Sequence, residues 1–317
     1  MISVNQRAFE IVNRMVADAE RLGIAVSHLA CGARVVDLGV KAPGSLLAGK
    51  LAAEASLGGM GEVTFLPLDF GEFWLPGVSI AVDRPEIGCM ASQYAGWGIR
   101  QGSFFAIGSG PARALAVVEP VFQHLDYRDH ADVAVIVLEG RELPDDAVAE
   151  RIARKCRVTP ASVTMLVAPA ACLAGSVQLS ARAVATGMHK MFKLGFDVRK
   201  VLHGYATAPI APVVPDEDLA SAHINDCVLY GARVFYVVRA DDAELAELIE
   251  RIPSSASADY GVPCEQLFRR YGNFYDIDPL LFCPSQVTIN NLTSGRTFRA
   301  GRPAPQVLKL SLLGETL

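Results

Sequence analysis

A chain of 317 residues, 51% apolar and 20% charged, has ample material for a buried core and lies outside the disordered class. Its net charge of −5 gives no sign of the clustered Lys/Arg excess of a nucleic-acid surface, so no such partner is expected. The longest weakly polar run, Val163 to Gly175, is too short to span a bilayer.

Taken in chain order, residues 5–22 predict an amphipathic helix with Phe9, Val12, Val16 and Ala19 on its apolar stripe. A hairpin follows, its two runs flanking the turn at Cys31-Gly32. Pro43-Gly-Ser45 opens a helix that runs to Ser56 and closes at Leu57-Gly-Gly59. Short strands are expected at Val63–Leu66, Val78–Val82 and Phe104–Ile107. Val133–Leu138 reads as a buried strand, Asp145–Cys156 as a helix with an acidic first turn, and Val163–Val167 as another strand. A single helix over 176–194 completes a β-α-β-α order, which predicts a layered α/β fold with an inner module near 130–210. Pro209 to Asp218 reads as a connecting segment. Beyond it come a strand at Cys227–Val238, a helix at Asp241–Arg251, and strands at Gln286–Leu292, Arg296–Ala300 and Val307–Leu312. No repeat marks a domain boundary, so the chain reads as one unit of 1–317, with two subdomains left open.

The seven cysteines form no C-x-x-C pair and the six histidines show no ligand spacing, so neither a metal nor a disulfide framework is expected. The first six residues lack the basic and apolar regions of a signal peptide. A soluble, cytoplasmic protein without a membrane partner is the expectation.

Four segments can carry chemistry. Cys89–Trp97 presents Ser92, Gln93 and Tyr94 among small residues; a turn packed under an aromatic would look the same. Ile107–Ala114 places Ser109, Gly110 and Pro111 at a helix start, where free N–H groups and Arg113 would suit an anion; an ordinary strand–turn–helix junction is the alternative. In the 176–194 helix, Ser176, Gln178, Ser180 and Arg182 are polar within an apolar stretch, and Arg182 shares a helix face with Ala185. Asn225 and Asp226 precede an apolar run and can cap or turn the chain.

These segments occur together and in order with Met1–Asn5, Leu143–Asp145, Leu194–Phe196, Pro253–Ser255, Asp259–Gly261 and Phe274–Pro279. In this the chain resembles the methenyltetrahydromethanopterin cyclohydrolases from residue 2 to about residue 315. The resemblance implies a two-part α/β fold with a pterin in the cleft between the parts, formed by segments 88–97, 108–114, 174–185 and 222–227. It implies hydrolysis of the N5,N10-methenyl bridge of tetrahydromethanopterin, or of its dephospho form, to the N5-formyl compound. That is a one-carbon step belonging to formaldehyde oxidation in methylotrophic bacteria and to one-carbon reduction in methanogens. It further implies no cofactor and a homo-oligomer, commonly a trimer. The family carries an arginine and, three residues on, a glutamate. The arginine corresponds to Arg182, and Ala185 stands at the glutamate position. Ser92, Gln93, Tyr94, Ser109, Arg113, Ser176, Gln178, Asn225 and Asp226 are the expected substrate contacts. The alanine leaves three accounts open: a substitution made to trap substrate, a natural relative that binds the pterin without hydrolysing it, or another carboxylate or an ordered water in the missing role.

Overall fold

The structure is a computed structural model that describes residues 2–272 and 276–314. Helix α1 (Val4–Ala17) begins at Ser3, whose hydroxyl accepts from the Gln6 N–H, and a short α2 (Ala19–Leu22) follows it. The buried apolar residues of α1 are Val4, Ala8, Ile11, Val12 and Met15. The stripe is thus turned from the expected one, and Phe9, Val16 and Ala19 pack only partly against the core. β1 (Ala25–His28) and β2 (Arg34–Asp37) make the expected hairpin, with Gly32 at φ +87° in its turn. α3 (Leu46–Ser56) is capped by the Ser45 hydroxyl.

β3 (Gly61–Asp69) and β4 (Trp74–Asp83) come next, then a π-helical stretch from Glu86 to Gln93. The segment after it is not only a turn, because β5 (Trp97–Gln101) pairs antiparallel with β6 (Phe104–Ser109). α4 (Ala112–Ala116), β7 (Ala134–Glu139), α5 (Asp146–Cys156), β8 (Val163–Val167) and α6 (Leu173–Ser180) follow. The expected single helix over 176–194 is broken: α7 (Ala183–Lys193) starts afresh after Ala181 and Arg182.

Residues 201–209 form a strand where the sequence pattern marks none, β9 (Val201–Pro209). The acidic run Asp216-Glu-Asp218 is a helix start rather than a linker, since Asp216 caps α8 (Glu217–Asp226). Cys227–Gly231 continues α8 as a π-helical turn, so the expected strand begins only at β10 (Arg233–Val238). α9 (Asp242–Ile249), α10 (Cys264–Tyr271), β11 (Gln286–Asn291) and β12 (Thr297–Gly301) complete the order with α11 (Pro305–Leu313). The last is a correction. Val307–Leu312 alternates like a strand, but Pro305 in the first helical turn starts a helix there. Phe274 and Tyr275 of the expected 274–279 segment, and Met1, lie outside the described residues.

The chain forms two compact α/β units, the first of residues 1–62 and 87–179, the second of 63–86 and 180–317. The first contains a mixed sheet in the order β1-β2-β8-β7-β6-β5. Alternation along β7 sends Ile136 and Leu138 to one face, with Val148 and Ile152 of α5, and Val135 and Val137 to the other, with α1 and α3. That is a helix–sheet–helix sandwich. The second unit is built on a sheet of order β12-β11-β10-β9-β4-β3. Its inner face buries Ile80, Ala206, Val234, Tyr236 and Ile289, and α7 and α9 pack against the sheet. Its outer face carries Tyr205 and Phe235 as cross-strand partners, 46% and 39% exposed. No helix among the described residues is long and apolar enough to cross a membrane.

Candidate active site

In the first unit the segments 88–97 and 108–114 come together around Arg113. Its side chain is fully buried, yet every direction of the guanidinium is used. Nε and Nη2 donate to the two carboxylate oxygens of Glu119, each at 2.7 Å. Nη1 donates to the carbonyls of Met90 (3.1 Å) and Ser92 (2.8 Å). Tyr94 and Phe122 offer ring faces to the same cation, with centroids 5.2 and 5.6 Å away. Arg113 is expected to suit an anion, and the anion it meets within this unit is the Glu119 carboxylate. Its charge is met by Glu119, and its work is to hold the strand of chain that carries Ser92, Gln93 and Tyr94. Gly96 is needed for this, because a Cβ there would lie 2.1 Å from Glu119 Oε1.

Ser92 is buried and ties the same loop down. Its hydroxyl donates to the Ser56 carbonyl at 2.6 Å, and its own carbonyl accepts from the Gly110 N–H at 2.9 Å. Gln93 is buried beside it, and Tyr94 is half-buried, its hydroxyl held above the usual tyrosine range chiefly by burial. Ser109 is buried at the end of β6. Asn5, not among the expected site residues, seats this corner: its Nδ2 donates to the Pro111 carbonyl and to Asp129, and its Oδ1 accepts from the Val135 N–H. Pro111 rather than Gly110 caps α4. Ser176 and Gln178 are buried on α6, where Gly175 passes so close to the Pro169 carbonyl that a Cβ would sit 1.8 Å from its oxygen.

In the second unit Arg182 occupies the break before α7. Its backbone (φ −87°, ψ 3°) caps that helix, and its carbonyl accepts both the N–H and the hydroxyl of Thr186, at 2.8 and 2.9 Å. Ala185 is the third residue of α7 and 2% exposed. The i, i+3 relation thus links a cap to the first turn, where the unpaired N–H groups favour negative charge. Ser180, at the end of α6, is buried, and its hydroxyl has no hydrogen-bond partner among the described residues.

Asn225 donates from Nδ2 to the Ser221 carbonyl one turn back, at 2.9 Å. Asp226, like Arg113, has hydrogen-bond partners within its own unit. Asp226 is wholly buried, and its carboxylate accepts from the Cys264 N–H (3.0 Å) and the Ser311 hydroxyl (2.6 Å), binding α8 to α10 and α11. Burial pushes its carboxyl up to about 6, the nearby Glu265 adding to this, while the bonds from Ser311 and Cys264 oppose it. A carboxyl that holds its proton more tightly in the fold stabilises it fully below about pH 4, and that contribution is lost as pH rises through about 6. The shift corresponds to about 3 kcal/mol. Urea unfolding at pH 4.5 and 7.5 is expected to show the wild type losing most of this relative to Asp226→Asn, which carries no charge to bury. Parallel pH profiles for the two would refute the assignment.

Among the described residues no three His, Cys, Asp or Glu side chains gather as a metal site would need. The six cysteines Cys89, Cys156, Cys172, Cys227, Cys264 and Cys283 are buried thiols, and Cys31 is partly so.

Two α/β units, one bracing a Ser–Gln–Tyr loop on a buried ion pair and the other opening a helix on an arginine, define an α/β protein of two parts. The family model described as Cyclohydrolase (MCH) matches residues 3–312, and the chain belongs to that family. It is 43% identical to the methenyltetrahydromethanopterin cyclohydrolase of Methanocaldococcus jannaschii over 98% of both chains. It is 44% identical to that of Methanothermobacter marburgensis over 95% of this chain and 96% of the other. The protein of the same name from Methylobacterium sp. strain 4-46 is 42% identical over 98% of this chain and 97% of its own length.

Proposed function

We propose that this chain hydrolyses the N5,N10-methenyl bridge of tetrahydromethanopterin or its dephospho form to the N5-formyl compound, slowly because of Ala185. The full-length match to relatives named for that reaction carries the reading. The bridge is an amidinium-like cation, electrophilic without a Lewis acid, so neither metal nor prosthetic group is required. Water adds at the bridge carbon and loses one proton to solvent; the second proton moves from the hydroxyl to N10 as the C=O bond forms and the bond to N10 breaks. Arg182 supports the developing oxyanion. Ser92, Gln93, Tyr94, Ser109, Ser176, Gln178 and Asn225 supply polar contacts to the pterin, and Arg113 and Asp226 hold the elements behind them.

The loss of methenyl absorbance tests this: slow, enzyme-dependent decay is expected. Tight binding of the methenyl pterin with no decay above the buffer rate would instead identify a pterin-binding protein without catalysis.

We also propose a homo-oligomer, a trimer by resemblance, acting in the cytoplasm without nucleic-acid or membrane partners. The exposed aromatic pair Tyr205 and Phe235, in the middle of an open sheet face, supports a second copy packing there. Light scattering is expected to give a multiple of 33.9 kDa, reduced by Phe235→Asp. A monomer at micromolar concentration would refute it.

A further inference from the structure

We propose that Tyr236 is a positioning residue for the reaction, its buried hydroxyl fixing the first turn of α7 and with it the direction of Arg182 and of the side chain at 185. This rests on the hydrolase reading above. Tyr236 on β10 is fully buried, and its hydroxyl donates to the Val184 carbonyl at 2.7 Å. Val184 lies between Arg182 and Ala185.

A buried tyrosine commonly finds a backbone acceptor, so the bond alone says little. Two glycines make it specific. Gly187 sits within α7, where glycine costs about 1 kcal/mol relative to alanine. It has no positive φ to require it. What requires it is space, because a Cβ at 187 would lie 2.2 Å from the Tyr236 hydroxyl oxygen. Gly204 on β9 is the direct cross-strand partner of Tyr236. It too has an ordinary φ, and its Cβ would lie 2.5 Å from Cγ1 of Val184. Val184 is thus seated twice, by its side chain over Gly204 and by its carbonyl on Tyr236, while Tyr236 fills the notch at Gly187. Rotation or sliding of the first turn of α7 on the sheet breaks at least one of these fits. Arg182 and residue 185 are carried rigidly on that turn.

Three variants test this: Tyr236→Phe, Gly187→Ala and the double variant, each with and without Ala185→Glu. Tyr236→Phe keeps the ring and loses only the hydroxyl. Since small misplacements at a reacting centre cost up to about 100-fold, its kcat is expected to fall by about 10- to 100-fold with KM little changed. Gly187→Ala, which displaces the hydroxyl, is expected to lose both stability and kcat. In the double variant the 2.2 Å contact is gone, and the remaining one, 3.2 Å from the new Cβ to ring Cζ, needs a shift of only a few tenths of an ångström. Stability is expected to recover while kcat stays low. With glutamate at 185, Tyr236→Phe is also expected to move the acid limb of kcat/KM upward, because Arg182 no longer holds the carboxylate ionised. Recovery of kcat along with stability in the double variant would overturn the proposal, as would unchanged kcat and an unmoved acid limb in Tyr236→Phe. Absence of turnover in both the wild type and Ala185→Glu would overturn the hydrolase reading itself, and this inference with it.

Discussion

Turnover is expected to rise by about 100- to 10,000-fold when Ala185 is replaced by glutamate, the usual worth of a positioned general base. Two features of position 185 motivate this expectation. It is the third residue of α7, where the helix terminus favours negative charge, and it follows by three the arginine that caps that helix. It is also 2% exposed, so a carboxyl there loses solvation. Burial raises its pKa, while Arg182 and the helix terminus lower it. KM should change much less than kcat, because the base acts chiefly in the transition state. Initial rates of methenyl absorbance loss, at saturating and at low pterin, check both statements. An equally fast chain with Ala185 would put the catalytic base elsewhere.

The elements legible in advance were those whose burial is one-sided or complete and whose ends carry a cap. Val163–Val167 is a run of four apolar residues and one β-branched threonine, Thr164, between a proline turn and Ala168-Pro169, and it is β8 to the residue. Ser45, Asp145 and Asp241 announce α3, α5 and α9 by the side-chain oxygens that cap them. β9 was hidden because Gly204 and Pro209 count against a strand, although Gly204 is there to admit Val184. Asp216 to Asp218 is equally good as a solvated linker and as the first turn of α8, and only the packing of α8 on α10 and α11 chooses between them. The alternation of Val307–Leu312 was a true pattern with the wrong period. Leu308 is its buried anchor, and the Ser311 hydroxyl is spent on Asp226.

The site divides along the same line. Its polar residues could be listed because they interrupt apolar sequence. Their roles could not, because Arg113 and Asp226 owe theirs to partners that no local spacing reveals: the carbonyls of Met90 and Ser92 for the one, Cys264 and Ser311 for the other. Nor does any proline or glycine mark the break at Ala181 and Arg182, which turns an expected mid-helix arginine into a cap.

Glu119→Gln is expected to destabilise the first unit by about 3–5 kcal/mol, the range found when one partner of a buried ion pair is removed. Arg113 is fully buried and the Glu119 side chain 9% exposed, so solvent cannot take over the lost charge. The amide offers one acceptor where the carboxylate accepted two parallel bonds, and its NH2 would face a guanidinium nitrogen. Removing both charges, as in Arg113→Met with Glu119→Leu, often restores stability at a simple buried pair. It is not expected to do so fully here, because the Met90 carbonyl would then lose its Arg113 donor at a cost of about 1–3 kcal/mol, while the Ser92 carbonyl loses one of two donors and keeps the Gly110 N–H. Urea denaturation of the two variants decides the point. A double variant as stable as the wild type would mean that the carbonyl contacts add nothing and that Arg113 is only a counter-ion. If the carbonyl contacts carry the predicted cost, the loop bearing Ser92, Gln93 and Tyr94 is released as well. The Kd for the pterin then weakens in the double variant even under conditions where the protein remains folded.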